Sequence, residues 1–147
     1  MNMDSAKPES PAGLILGFDF GSKRIGVATG QTISDTASSL CVLANNPDLW
    51  QQIEKIINQW QPVLLVVGLP LDLDGKETDT SKAARKFAAR LHGRFGLLVE
   101  MQDERFSSID ASEQFKGLRQ LGSIKRKDAK TLDAAAARLI TEAWLQQ

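Results

Sequence analysis

Apolar residues occur along the chain in short runs typical of strands and in longer stretches with helical spacing. Residues 14–20 are apolar at both alternating positions, which predicts a strand covered on both faces. A turn at 21–23 and a second run at 24–29 predict a hairpin. The remaining pattern predicts strands at 36–43, 63–67 and 97–101 and helices at 48–60, 80–95, 107–115 and 130–146.

The order of these segments predicts the fold. Three meandering strands come before an alternation of helix and strand, so we expect a mixed sheet of about five strands with helices on both faces. Gly17, Gly21 and Gly26 do not match the G-x-G-x-x-G spacing, and no helix follows them, which argues against a Rossmann sheet. The pattern therefore favours an α/β fold of the ribonuclease H-like class.

The length and composition of the chain suit one domain. At 147 residues it can bury a core without disulfides, and we expect a single domain over residues 14–147. Residues 1–13 are rich in Pro, Ser and charge, which predicts a disordered tail. No apolar run reaches the length of a membrane span, and the single cysteine, Cys41, cannot form an internal disulfide. The expected compartment is the cytoplasm.

Three carboxylates lie at positions where an acid is unexpected. Asp19 is in the middle of the first apolar run, where a buried carboxylate needs a cation, a metal or several donors. Glu104 follows the predicted strand 97–101, at the end of a sheet where ligands commonly bind. Asp133 is expected at the border of the inner face of the last helix. That inner face is predicted to comprise residues 132, 136, 139, 140 and 143.

Converging carboxylates repel one another unless cations lie among them. Carboxylate oxygens are ligands that Mg²⁺ prefers, and two ions about 4 Å apart can activate a water and stabilise the departing oxygen of a phosphodiester. We therefore predict that Asp19, Glu104 and Asp133 are catalytic residues and ligands of two Mg²⁺ or Mn²⁺ ions. Asp19, rigid on a central strand, suits the shared ligand.

Simpler explanations of the three acids remain open from the sequence. Asp19 could pair with Lys23 or Arg24, and Glu104 could pair with Arg105. Asp133 could be an acid in the first turn of its helix, where the helix dipole favours negative charge.

Basic residues are clustered although 18 Lys and Arg balance 18 Asp and Glu. Residues 116–130 hold six basic residues and one acid, which predicts a mobile basic loop beside the helix of Asp133. A second set gives helix 80–95 a basic stripe. Beside an acidic pocket, the two sets favour contact with a phosphate backbone. They comprise Lys116, Arg119, Lys125, Arg126, Lys127 and Lys130 in the loop, and Lys82, Arg85, Lys86, Arg90 and Arg94 in the helix.

Four segments together resemble a known family. They are DFGSKRIGVA at 19–28, VGLP at 67–70, DERFSS at 103–108 and DAAA at 133–136. In this order they resemble the YqgF (RuvX) family of ribonuclease H-like proteins over about residues 13–146. The resemblance implies a cytoplasmic bacterial nuclease, assigned to maturation of the 5′ end of pre-16S ribosomal RNA and also described as a Holliday junction resolvase.

The resemblance also implies roles for individual residues. Asp19, Glu104 and Asp133 correspond to acidic metal ligands, and the basic pair after the first strand corresponds to a phosphate contact. The complete set of predicted substrate-binding residues is Lys23, Arg24, Arg105, Lys125, Arg126, Lys127 and Lys130.

Several functions are consistent with the sequence. The first hypothesis is a metal-dependent endonuclease acting on a structured rRNA precursor, with ribosomal particles as possible partners and no membrane. The alternative shares the chemistry but takes branched DNA, for which a homodimer would be required, whereas an RNA nuclease could be a monomer. Two lesser alternatives are a non-catalytic ribosome or transcription factor and an actin-like ATPase, the latter disfavoured because its nucleotide needs two lobes.

Overall fold

The computed structural model describes residues 13–72, 74–104 and 126–147, and for 126–132 it describes only the backbone. The strands are β1 (Leu14–Phe20), β2 (Arg24–Gln31), β3 (Thr36–Ala44), β4 (Leu64–Leu69) and β5 (Val99–Asp103). The described helices are α1 (Leu49–Trp60), α2 (Asp79–Phe95) and α3 (Arg126–Leu145). The predicted helix 107–115 and all of the predicted tail except Gly13 lie outside the described residues.

The five strands form one mixed sheet in the order β3-β2-β1-β4-β5. β1 and β2 form the predicted antiparallel hairpin, and β3 continues it antiparallel to β2. β4 pairs parallel with β1, and β5 pairs parallel with β4. The prediction of a mixed five-stranded sheet is confirmed, and β1 lies at its centre.

Each face of the sheet packs against its own helices because side chains alternate between faces along a strand. Phe18 and Val67 belong to one core cluster, together with Ile53 of α1 and Phe87 of α2. On the other face, residues of β1 and β4 pack against α3. This second cluster comprises Ile15, Leu64, Val66, Ile140, Trp144 and Leu145. Helices therefore cover both faces, as predicted.

The predicted starts of β5 and α3, both near the candidate site, are wrong. The strands β2 and β4 also continue two residues past their predicted ends, to Gln31 and Leu69. The left-handed φ of 67° at Gly96 ends α2. Two residues then connect the helix to β5, which begins at Val99 and not at Leu97 as predicted. α3 begins at Arg126, four residues before the predicted start at Lys130. Part of the predicted basic loop is therefore helical.

The inner face of α3 also differs from the prediction. Of the predicted inner residues for which burial is described, only Ile140 is buried. The buried positions are Ala137, Ile140, Thr141, Trp144 and Leu145. Asp133 lies one turn before Ala137, with its carbonyl group over Gly26 of β2 and its side chain 28% exposed, which is consistent with the predicted border position.

Among the helices that the structure describes, none is both long and apolar enough to span a bilayer.

Candidate active site

Asp19 and Glu104 meet at one end of the sheet, on the face covered by α3. Phe18 of β1 pairs with Val67 of β4, so Asp19 and Gly68 come one residue further along their strands. Gly68 in turn pairs with Gln102 of β5, two residues before Glu104. A Cβ atom at Gly68 would lie 2.8 Å from Glu104 Oε2, which places that carboxylate directly over the glycine. Asp19 and Glu104 are hereafter called the acidic pair.

Asp133 reaches the same face because α3 lies very close to β2. A Cβ atom at Gly26 would be 2.7 Å from the carbonyl carbon of Asp133, a separation that only a glycine allows. Gly26 pairs with Asp19 across the β1–β2 hairpin, so Asp133 lies beside the acidic pair. The fold therefore brings the three predicted acids to one end of one face.

The side chain of Asp133 is engaged by a cation of the hairpin. Arg24 Nε donates a hydrogen bond of 2.7 Å to Asp133 Oδ2, and about a third of each side chain is exposed. The alternative that Arg24 pairs with Asp19 is therefore wrong. The alternative that Asp133 is a first-turn acid is also wrong, since it lies well inside a helix that begins at Arg126.

The acidic pair lies in an unfavourable electrostatic environment. Burial, and to a lesser extent the negative charges of Glu104 and Asp133, together raise the pKa of Asp19 to about 8. Burial also raises the pKa of Glu104 to about 7, with a smaller contribution from the charge of Asp103. Among the described residues, no lysine or arginine forms an ion pair with Asp19. Additional positive charge would relieve this repulsion.

These pKa values predict how stability depends on pH in metal-free buffer. Between about pH 4 and 8 the folded protein holds a proton on Asp19 that the unfolded chain releases, so raising the pH favours unfolding. We expect the free energy of unfolding to fall between pH 5 and 8 and to fall less in Asp19→Asn. Urea denaturation at several pH values in the presence of a chelator measures both slopes, and equal slopes would contradict the prediction.

The described residues do not contain a preformed cluster of three metal-binding side chains. Within this site, Arg24 donates a hydrogen bond to the Asp133 carboxylate, and the Glu104 carboxylate lies over Gly68. A pair of partly buried carboxyl groups with raised pKa values is a suitable donor set for one divalent cation, and Asp133 lies close enough to contribute charge. Binding of two metal ions by all three acids stays a prediction.

The structure describes the side chains of only two of the predicted phosphate-binding residues, Lys23 and Arg24. Lys23 is exposed in the hairpin turn beside the acids, and Arg24 contacts Asp133. Arg126, Lys127 and Lys130 belong to α3 and not to a loop, and their side chains are not described. Arg105 and Lys125 lie outside the described residues, as do Lys116 and Arg119.

The basic stripe of α2 does not lie beside the acidic pair, which corrects the prediction from sequence. α2 packs on the face of the sheet opposite to α3, with Phe87 and Leu91 in the first core cluster. The acids and the stripe are therefore separated by the sheet.

Two glycines shape the site, and the sequence analysis assigned them no role. Gly68 leaves room for the Glu104 carboxylate, and Gly26 allows α3 to bring Asp133 close. A usable signal for Gly68 was its position directly after the apolar run at 63–67, since a glycine in a buried strand often marks a close approach.

The chain is similar to known proteins along nearly its whole length. A family model for RuvX, described as a Holliday junction resolvase, matches residues 13–147. Relatives from Pectobacterium atrosepticum and Aeromonas salmonicida, both provisionally named pre-16S rRNA nucleases, are each 47% identical over 135 residues. Each alignment covers 90% of this chain and 94% of the relative.

A solved structure shows the same fold at low sequence identity. T. thermophilus RuvC in complex with a Holliday junction substrate superposes with a TM-score of 0.58 and 14% identity, covering 91% of this chain and 95% of that chain. The fold is therefore ribonuclease H-like, as predicted. Because the family model spans nearly the whole chain and both relatives are close to half identical, the chain belongs to the RuvX family.

Proposed function

We propose that this chain is a metal-dependent endonuclease that hydrolyses phosphodiester bonds of structured RNA during 5′-end maturation of pre-16S rRNA. Membership of a family of nucleases makes the chain a hydrolase. The observation that supports a metal-dependent reaction is the acidic pair, two partly buried carboxyl groups with raised pKa values, one near the end of β1 and the other directly after β5. The relatives' names support ribosomal RNA as the substrate.

The chemistry of the donor set supports Mg²⁺ or Mn²⁺ as the cofactor. Asp19 and Glu104 would hold the first ion, and Asp133 would contribute to a second if its bond to Arg24 were released. When bound, such ions lower the pKa of an attacking water and stabilise the departing oxygen. Divalent charge would also offset the repulsion that raises the pKa of Asp19.

The residues of the chain position the substrate around this centre. Asp19 is fixed on β1, which is paired on both sides, so its carboxylate can orient an attacking water without rearrangement. Lys23 in the exposed turn and Arg24 beside Asp133 provide positive charge for the phosphate backbone of the cut strand. A precursor rRNA is a cytoplasmic substrate, so we place the reaction in the cytoplasm, with ribosomal particles as partners.

A second candidate function is the resolution of branched DNA. It is supported by the description of the family model and by the shared fold of a resolvase bound to its junction. The same acids would cut, but a symmetric junction has two strands to cleave and would require a homodimer.

Side-by-side cleavage assays separate the two functions. We expect purified protein to cut a transcript spanning the 5′ end of pre-16S rRNA in Mg²⁺ or Mn²⁺, to lose that activity in chelator, and to leave a synthetic four-way DNA junction intact. Cleavage is read on denaturing gels, with solution mass measured over a concentration series. Preferential junction cleavage by a dimer would overturn the RNA assignment, and cutting that persists in chelator would overturn the metal requirement.

A further inference from the structure

The outer surface of α2 carries an exposed row of four cations at four-residue intervals. They are Lys82, Lys86, Arg90 and Arg94. A helix rises 1.5 Å per residue, so the row is about 18 Å long. Together with Trp50 of α1, these residues are called the α2 basic surface.

The charge of this surface is not neutralised within the described residues. No acidic residue occurs in the sequence between positions 80 and 99. Glu77 pairs with Arg85, whose Nε lies 2.9 Å from Glu77 Oε1, and Arg85 is not part of the row. None of the four cations of the row forms an ion pair in the part of the chain that the structure describes. The row is therefore a concentrated positive charge on a chain whose net charge is zero.

Trp50 holds two of these cations in place. The Arg90 guanidinium lies 4.9 Å and the Arg94 guanidinium 4.6 Å from the centre of its ring, both within cation–π range. The ring is itself anchored by Phe87 and Phe95, at centroid distances of 5.6 and 6.4 Å. Two arginines ordered in advance lose less entropy when they bind an anion than free side chains would.

We propose that the α2 basic surface is a second RNA-binding surface, which contacts the phosphate backbone of the substrate RNA away from the point of cleavage. It lies across the sheet from the acidic pair, so its contacts add affinity for an extended RNA without touching the bond that is cut. Guanidinium groups bind phosphate oxygens in a two-pronged geometry, and a row of cations suits a continuous polyanion. The inference rests on the proposed function in taking RNA as the polymer.

The test compares binding of a long and a short RNA in metal-free buffer, where no cleavage is expected. The long probe is a transcript with the stem around the 5′ end of pre-16S rRNA, and the short probe is a ten-nucleotide strand across the proposed cut. We expect Arg90→Gln/Arg94→Gln to weaken long-RNA binding about tenfold at 0.1 M salt, with no change for the short strand. The slope of log K against log salt should fall by about 1.4 to 1.8, because each lost contact contributes about 0.7 to 0.9.

Two further double variants act as controls. Lys82→Gln/Lys86→Gln removes two charges of the row but leaves the contacts of Trp50 intact. It should weaken long-RNA binding, so the inference can be tested even if the arginine variant is less stable than native protein. Lys55→Gln/Lys76→Gln removes two exposed charges outside the surface and should have a much smaller effect. Equal losses in the row and control variants, or no loss in the row variants, would overturn the inference.

The outcome is independent of the cleavage assay. If native protein cuts the precursor while the row variants bind it normally, the second surface is wrong and the proposed function stands. If the row variants bind long RNA poorly while native protein cuts no RNA, the surface stands and the proposed function is lost.

Discussion

Asp19→Asn is expected to lower the rate of phosphodiester cleavage by at least about a thousandfold while leaving the fold intact. Asparagine has the same shape but no charge, so the variant loses the carboxylate near the end of β1 that we propose as the central metal ligand. Metal stabilisation of a reacting phosphate amounts to several kcal/mol, and about 4 kcal/mol corresponds to a thousandfold in rate. Single-turnover cleavage of the 5′ pre-16S transcript in saturating Mg²⁺ measures the effect.

The stability of Asp19→Asn should change in the opposite direction to its activity. The substitution removes a carboxyl group whose pKa is raised to about 8 by burial and neighbouring acids, so the metal-free variant should be more stable than native protein at pH 8. Added Mg²⁺ should raise the melting temperature of native protein more than that of the variant. A variant that cuts at the native rate would remove Asp19 from the catalytic centre.

Asp35→Asn is the matched control for this substitution. Asp35 is exposed in the turn between β2 and β3, with a φ of 53° that asparagine tolerates well. The same chemical change there should leave cleavage and Mg²⁺ stabilisation at native values. A comparable loss of activity in Asp35→Asn would mean that the effect at Asp19 reflects overall charge.

Gly26→Ala is expected to lower the free energy of unfolding by about 3 kcal/mol, at the upper end of the usual cost of overpacking. The new Cβ would lie 2.7 Å from the Asp133 carbonyl carbon and 3.4 Å from the Ala134 nitrogen, and a helix backbone cannot rotate away as a side chain can. α3 must therefore shift away from β2. For a chain of this size, the melting temperature should fall by about 6 to 12 °C.

The displacement of α3 gives Gly26→Ala a second effect. The helix carries Asp133, so cleavage should fall even at temperatures where the variant is fully folded. Gly93→Ala is the control with the opposite sign. Gly93 is in α2 with no atom within 4 Å of a new Cβ, and alanine should stabilise the helix by up to about 1 kcal/mol. Thermal unfolding and single-turnover cleavage are measured for both variants and for native protein. A melting temperature of Gly26→Ala equal to that of native protein would contradict the close approach of α3 to β2.

The hydrogen bond between Arg24 and Asp133 links a proposed phosphate-binding residue to one of the three acids. Arg24 is in the segment that resembles the family's basic pair, yet in the structure its guanidinium binds a predicted metal ligand. Both side chains are about one third exposed, so the bond is a modest one that a cation or a phosphate could displace. Phosphate binding to Arg24 and metal binding to Asp133 would then favour each other, since each releases the partner of the other.

Much of the site could be predicted from sequence because its signals are local. An acid inside an apolar strand and an acid just after another strand each violate the expected pattern, and Asp19 and Glu104 were found in this way. Asp133 was also singled out, but the residues on the inner face of its helix were not predicted correctly. Alanines at 134–137 lie on every side of the helix, so the apolar pattern there does not determine which side faces the sheet.

The boundary errors have similar physical causes. Leu97 and Leu98 continue an apolar run into β5, and nothing in their composition separates a connecting segment from a strand. Residues 126–129 were expected in a loop, because charge alone does not distinguish the first turns of a helix from irregular structure.

The sequence by itself determined the number of strands, their order along the chain, the placement of Asp19 on a central strand, and the family. These follow from apolar periodicity and short motifs, which depend on near neighbours in the chain. Only the tertiary structure decided that Arg24 binds Asp133 across 109 residues and that the basic stripe of α2 is on the far side of the sheet from the acids. Such relations depend on which face of the sheet each helix covers, and that is settled by packing of the whole core.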